Sequence, residues 1–205
     1  MVNSEYQTLA EETRISLKRE GSKFIGIGIP VEGEEEFQSA KSRLQEEFSD
    51  ATHICYGLIL ITGNSLLQRY DADGEPSGTA GKPILSILEG FPLRNVVVFV
   101  IRYFGGIELG TGGLVRAYSD ATRQVLNAGT IKTSRRRLAV VIDYPYRFTG
   151  KVMEVIEGLD AEVESREYGE SASIEISLPT SSYDYLKEKI AGATSGRAVI
   201  SEVST

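Results

Sequence analysis

A chain of 205 residues, 41% hydrophobic and 25% charged, has the composition of an ordinary globular protein with one large or two small domains, and this excludes a chain disordered throughout. Its longest apolar run falls far short of the roughly 18 to 20 residues that span a bilayer, and its polar N-terminus lacks the basic-then-apolar order of a signal peptide, so a cytoplasmic protein with no membrane partner is expected. One cysteine, Cys55, excludes an internal disulfide and a Cys-rich zinc site, and a net charge of −7 opposes indiscriminate nucleic-acid binding.

In chain order, Thr13–Lys18 and Lys23–Pro30 are predicted to form a hairpin turning at Glu20-Gly21, where glycine accepts the positive φ of a tight turn. Glu34–Phe48 carries Phe37, Ala40, Leu44 and Phe48 at helical spacing, with Glu34, Glu35 and Glu36 set against the N-terminal dipole. His53–Ile61 and Leu66–Tyr70 form a second strand pair around Gly63-Asn64. A short helix runs from Gly81 to Leu88, with Pro83 in its first turn and Gly90 as its stop. Val96–Ile101, unbroken and rich in β-branched residues, is a buried central strand. The helix after it places Leu114, Ala117, Tyr118, Ala121 and Val125 on one side and Arg116, Asp120, Arg123 and Asn127 on the other, and Gly129 closes it.

Thr130–Ser134 reads as a short polar linker, after which the pattern begins afresh. Leu138–Asp143 is a strand, and Phe148, Val152, Val155, Ile156 and Leu159 mark a helix. Glu162–Tyr168 and Ser171–Leu178 meet at a Gly169-Glu170 turn, Tyr183–Ala191 is a helix capped by Ser181 or Ser182, and Arg197–Val203 is the last strand. The βαββαβ order is that of a ferredoxin-like domain. The expected fold class is therefore α+β, with one domain over residues 1–134 and the ferredoxin-like one over 135–205.

Two glycine-rich segments bracket the central strand: DADGEPSGTAGKP at Asp71–Pro83 and RYFGGIELGTGGLVRAY at Arg102–Tyr118. Each leads a loop into a helix, whose first backbone N–H groups and dipole can receive a phosphate or carboxylate. The first segment fails as a P-loop, because Pro76 stands five residues before Gly81 and Pro83 replaces the Ser or Thr that must follow Lys82. The second lacks the glycine spacing and later acid of a dinucleotide fold. A looser anion cleft remains, with Asp73, Glu75, Thr79, Gly81, Lys82, Arg102, Gly105, Gly106, Gly112, Gly113 and Arg116 as candidate ligand contacts. The glycines equally allow nothing more than tight turns and close packing. Arg102 either projects into the cleft or pairs with Asp73 or Glu75, since arginine binds phosphate and carboxylate alike.

His53 and Cys55, two apart on a strand, share a face and form either a thiolate–imidazolium pair or inert core. The sequence holds no further His or Cys to complete a metal site, so no metal, no cofactor and no catalytic residue is assigned. Asp71, Asp73 and Glu75 are either solvated turn residues or a magnesium site beside a bound phosphate. Between Arg102 and Lys151 nine Lys/Arg face three Asp/Glu, a local +6 that leaves −13 for the remainder. Arg135, Arg136 and Arg137 within it are either a solvated charge run or a nucleic-acid contact.

DGEPSGTAGKP at Asp73–Pro83, VVVFVIRYFGGIELGTGGLVRAY at Val96–Tyr118 and THIC at Thr52–Cys55 resemble the YigZ/IMPACT family, and the similarity extends over essentially the whole chain. The resemblance implies an N-terminal domain similar to the ribosomal-protein-like α/β fold of domain IV of elongation factor G, and a C-terminal domain similar to that factor's ferredoxin-like domains. It implies a shared site at Asp73 to Pro76, Gly78 to Lys82, Arg102-Tyr103 with Gly105-Gly106, and Gly110 to Arg116; Thr111 stands where many relatives have alanine. Eukaryotic IMPACT regulates translation by binding an activator of a stress-responsive kinase, and bacterial members are associated with translation or nucleic acid. Only about a dozen residues precede the first predicted strand, so no RWD-like module is expected and that interaction is not carried over. The expected function is non-enzymatic: a translation-associated protein contacting RNA, the ribosome or a translation factor through a glycine-lined basic cleft. The alternative is an enzyme or sensor for a small phosphorylated ligand such as a nucleotide, and a third reading is a protein-binding adaptor.

Overall fold

The computed structural model describes residues 4–63, 65–169 and 171–203, so Asn64 and Glu170 of the two predicted hairpin turns lie outside the described residues. The chain divides into two compact units, residues 1–134 and 135–205. Among the described residues no helix is long and apolar enough to cross a membrane.

The first unit contains β1 (Glu5–Leu9), β2 (Thr13–Arg19), β3 (Ser22–Pro30), α1 (Glu34–Glu47), β4 (His53–Thr62), β5 (Ser65–Asp71), α2 (Gly81–Glu89), β6 (Val96–Tyr103) and α3 (Gly110–Ala128), and β7 (Ile131–Arg135) closes it. Strands β2 to β6 form an antiparallel sheet in the order β2-β3-β6-β4-β5. β6 lies at its centre and is covered on both faces. Val96, Val98 and Val100 enter the core beneath α2 and α3, while Val97, Phe99 and Ile101 enter the one that α1 covers. A strand with no water on either side has no place for polar alternation, which is why its sequence is an unbroken apolar run.

β1 and β7 pair with each other in a separate two-stranded sheet. The segment read as a linker is thus a strand, and a strand precedes the first one predicted. The cause is non-local: Ala10 N–H donates to the Thr130 carbonyl at 2.8 Å, Leu9 is buried in the core, and Thr8 Oγ1 donates to the Asn95 carbonyl at 3.1 Å. The polar side chains of β7 are largely exposed, and backbone pairing alone makes it a strand.

The second unit runs β8 (Arg137–Pro145), the 3-10 turn η1 (Tyr146–Phe148), α4 (Thr149–Glu157), β9 (Glu162–Tyr168), β10 (Ser171–Pro179), the 3-10 turn η2 (Thr180–Ser182), α5 (Tyr183–Thr194) and β11 (Val199–Glu202). Its antiparallel sheet has the order β11-β8-β10-β9. Val152, Ile156, Leu186 and Ile190 of the helices pack on Val140, Ile142, Ile174 and Ile176. The predicted serine cap on α5 does not form: Ser182 precedes the helix with φ −93° and ψ −4°, continuing the 3-10 turn rather than taking the extended backbone that aims a cap at the helix N–H groups.

The loop between β6 and α3 rests on the turn joining β2 and β3. A Cβ at Gly105 would enter the backbone of Gly21 and Ser22, whereas one at Gly112 meets only Arg116 Nη1, at 3.5 Å. Gly105→Ala is expected to destabilise the protein by about 1–3 kcal/mol through overpacking, while Gly112→Ala, inside a helix, is neutral or stabilising by up to about 1 kcal/mol. Urea melts of the two variants check this, and equal losses would show that the turn yields.

Candidate functional site

The antiparallel register sets Phe24 on β3 opposite Arg102 on β6, and Arg102 opposite His53 on β4, so the three side chains share one face at the end of the sheet. Cys55, two residues along β4, lies on the same face, which belongs to the core beneath α3. After β5 the chain returns over this row. Asp73 takes a left-handed backbone (φ +45°) and Gly74 follows at +83°, a sharp reversal that turns Glu75 inward. Asp73 locks the reversal at three points: its N–H donates to Asp71 Oδ1 at 3.0 Å, its Oδ2 accepts from Ile54 N–H at 2.7 Å, and its carbonyl lies 2.6 Å from His53 Nδ1. A carbonyl only accepts, so His53 carries its proton on Nδ1.

Glu75 is 6% exposed, and its Oε1 accepts from Arg102 Nη1 and from the Tyr118 hydroxyl, both at 2.7 Å. His53 Nε2 stands 3.9 Å from the same oxygen. Of the two roles open to Arg102, it takes pairing with Glu75. Its guanidinium lies between the rings of Phe24 and Phe104, 5.7 and 5.4 Å from their centres, and its buried Nε–H has no acceptor among the described residues. The Cys55 thiol is buried 3.1 Å from the Ala72 carbonyl and 3.5 Å from the Tyr118 hydroxyl. Burial pushes it up to about 12 and pushes the Tyr118 phenol up as well, so Cys55 is a protonated core thiol rather than half of an ion pair with His53.

The two glycine segments thus meet at a buried carboxylate. Thr79 and Gly81 are buried too: Thr79 Oγ1 donates to the Pro76 carbonyl at 2.7 Å, and a Cβ on Gly81 would stand 2.6 Å from the Asp71 carbonyl. Lys82 is exposed at the start of α2. Gly105 N–H donates to Ser22 Oγ at 3.2 Å, and Gly106 turns the chain at φ +83°. Gly112 is exposed, and Gly113 and Arg116 line an open cavity of about 500 Å³ together with Arg19, Glu20, Glu108 and Asp120. That lining is mixed in charge, contains no residue of the first segment, and has Arg19 paired to Asp120 at 3.0 Å. Arg135 ends β7, Arg136 offers its carbonyl to Thr180, and Arg137 is held by Ser177 at 2.7 Å and Glu162 at 3.4 Å.

Sequence reasoning did not place His53, Tyr118 or Phe104 in the site. Tyr118 passed as one more apolar residue of its helix stripe. Its signal was the hydroxyl, since a phenol in an otherwise aliphatic core needs a polar partner.

The model of the Impact N-terminal domain matches residues 20–126, and a domain of unknown function, DUF1949, matches residues 142–197. An IMPACT family member of Haemophilus influenzae is 32% identical over 180 residues, 87% of each chain. IMPACT family member YvyE of Bacillus subtilis is 31% identical over 198 residues, 96% of this chain and 90% of that one. Protein IMPACT-B of Xenopus tropicalis is 32% identical over 115 residues, 48% of this chain and 36% of that protein. A crystal structure described as that of a hypothetical protein superposes with a TM-score of 0.78 at 25% identity, over 98% of both chains.

Removing one partner of the buried pair strands a charge, so Arg102→Ala or Glu75→Ala is expected to lose about 3–5 kcal/mol in urea melts, whereas the joint replacement Arg102→Met with Glu75→Leu restores most of it. Cys55 should not react with a thiol reagent until the chain unfolds. Between its ordinary value of 9.0 and about 12 the folded thiol keeps a proton that the unfolded thiol has lost, so stability falls as pH rises through this window. Wild type should lose up to about 1.4 kcal/mol per pH unit relative to Cys55→Ala there.

Proposed function

Because the chain belongs to the IMPACT family, we propose that it is a translation-associated binding protein whose N-terminal unit contacts RNA, the ribosome or a translation factor without transforming a substrate. The observation that carries this reading is Arg102, which gives Nη1 to Glu75 and leaves a buried Nε–H without an acceptor among the described residues, where the two glycine segments join. Such a donor is destabilising until an acceptor arrives, and the Nε edge of a guanidinium is one of those that receive an oxyanion in two parallel bonds. The half-exposed Phe104 ring lies over the same guanidinium, its centre 5.4 Å away, so the arginine adjoins the surface.

On this reading Lys82, Arg116, the loop glycines Gly105 and Gly106, and Gly112 and Gly113 in the first turn of α3 make up the contact surface. Glu75, Asp73, Thr79 and Gly81 hold it in shape. Arg135, Arg136 and Arg137 are left out of this surface, because Arg137 is engaged by Ser177 and Glu162. The same reading takes the first unit as the ribosomal-protein-like α/β fold of domain IV of elongation factor G and the second as ferredoxin-like, which the order β11-β8-β10-β9 supports, and it puts the protein in the cytoplasm.

A cavity of about 500 Å³ beside Arg19, Gly113 and Arg116 at the start of α3 favours a second reading, a binding site for a small phosphorylated ligand such as a nucleotide. Cosedimentation with gradient-purified ribosomes tests the first: association should weaken steeply between about 50 and 200 mM salt, and Arg116→Ala should reduce the logarithmic slope by about one. Salt-independent or absent association defeats it. A thermal shift with nucleotides worth about 2.7 kcal/mol at 100 times the dissociation constant, with no ribosome binding, establishes the second instead.

A further inference from the structure

We propose that the second unit carries a separate contact for single-stranded RNA, an aromatic and cationic platform at the start of α4 built from Tyr146, Tyr168 and Arg166. The register builds it. Tyr168 on β9 lies opposite Ala172 on β10, and Ala172 lies opposite Tyr144 on β8, so two tyrosines flank a small residue in one cross-strand row. Tyr146, in the turn that follows β8, meets Tyr168 edge to face, with ring centres 6.1 Å apart and planes at 87°. The two rings brace each other, yet they are 58% and 53% exposed. Arg166 sits two residues before Tyr168, opposite Ile174, and therefore on the same face of the edge strand.

Tyr144, in the same cross-strand row, is 2% exposed. Its hydroxyl reaches the Thr149 side chain at the first residue of α4. α4 continues the 3-10 turn η1, with Thr149 N–H and Oγ1 both donating to the Tyr146 carbonyl; its first turn holds no acidic residue, and Lys151 adds positive charge there. Open rings, an arginine and a helix start carrying Lys151 match the two parts of a nucleotide: base on ring, phosphate beside the cations. Charge fixes which side of the sheet takes the strand. Asp143, Glu162, Glu167 and Glu175 lie on the opposite face, in register with Val199, Ser177, Ser173 and Ser165, and repel a polyanion there. A proline-rich peptide would also lie on tyrosines, but it makes no use of the cations or the helix start.

Fluorescence anisotropy of the full chain with a labelled 12-nucleotide oligouridylate, an abasic strand of the same length and a polyproline peptide tests the assignment. The oligouridylate should bind about tenfold more tightly than the abasic strand, and Tyr146→Ala and Tyr168→Ala should each weaken it about tenfold, while the two Tyr→Phe variants keep the affinity. Arg166→Ala should lower the salt slope by about one. Both rings are more than half exposed, so the variants should melt as the wild type does. No measurable binding of oligouridylate at low salt, equal binding of the abasic strand, indifference to the tyrosine replacements, or preference for the peptide would each overturn the proposal.

Discussion

A carboxylate taken out of water must be met by charge and by hydrogen-bond donors, and the N-terminal unit is arranged around one such group, Glu75. Arg102 reaches it from the central strand and Tyr118 from α3, residues 27 and 43 positions away in sequence. One oxygen therefore joins the loop after β5, the sheet and the helix. A buried pair of this kind adds little net stability over well-packed apolar groups, because desolvation offsets most of the attraction. Its effect is on definition: only the conformation with Asp73 and Gly74 in the left-handed region delivers Glu75 to Arg102, and the hydrogen bonds of Asp73 to Ile54 and His53 hold that conformation.

The same interaction sets the chemistry of its neighbours. Cys55 and Tyr118 are held protonated beside an anion in a desolvated pocket, so neither is a nucleophile at neutral pH. His53 has one nitrogen fixed by the Asp73 carbonyl and turns the other toward Glu75. Arg102 is half used: Nη1 is satisfied by Glu75, while Nε has no partner among the described residues.

What could be read from the sequence was whatever local periodicity records. The Glu20-Gly21 hairpin, the helical stripe on Phe37, Ala40 and Leu44, and the double-faced run at Val96–Ile101 follow from side chains that sort themselves over a few residues. β1 and β7 could not be read this way, since each becomes a strand by pairing with a segment more than a hundred residues distant. The two glycine segments were visible as one place to look, but the role of each glycine was not. Gly81 is small because the Asp71 carbonyl lies against it, and Gly105 because the β2–β3 turn does. Both reasons belong to chain segments that meet only in the fold. Arg102 was open for the same cause: the pairing is decided by register and by the turn at Asp73, neither of which leaves a local trace.

The distribution of cations decides how an acidic protein can meet a polyanion at all. The +6 stretch between Arg102 and Lys151 does not form one basic face once its arginines are followed individually. Arg102 is buried on Glu75, Arg123 is paired to Asp120, and Arg137 is held by Ser177 and Glu162. With −13 elsewhere, long-range attraction is weak, so the polyanion contacts proposed above rest on short-range features: the Arg102 guanidinium, the start of α4, and the exposed rings of Tyr146 and Tyr168. These operate only at contact and demand a fitted partner. On that proposal a single-stranded ribonucleotide segment, which offers phosphate and unpaired base at contact, fits such features better than duplex nucleic acid bound mainly through its field.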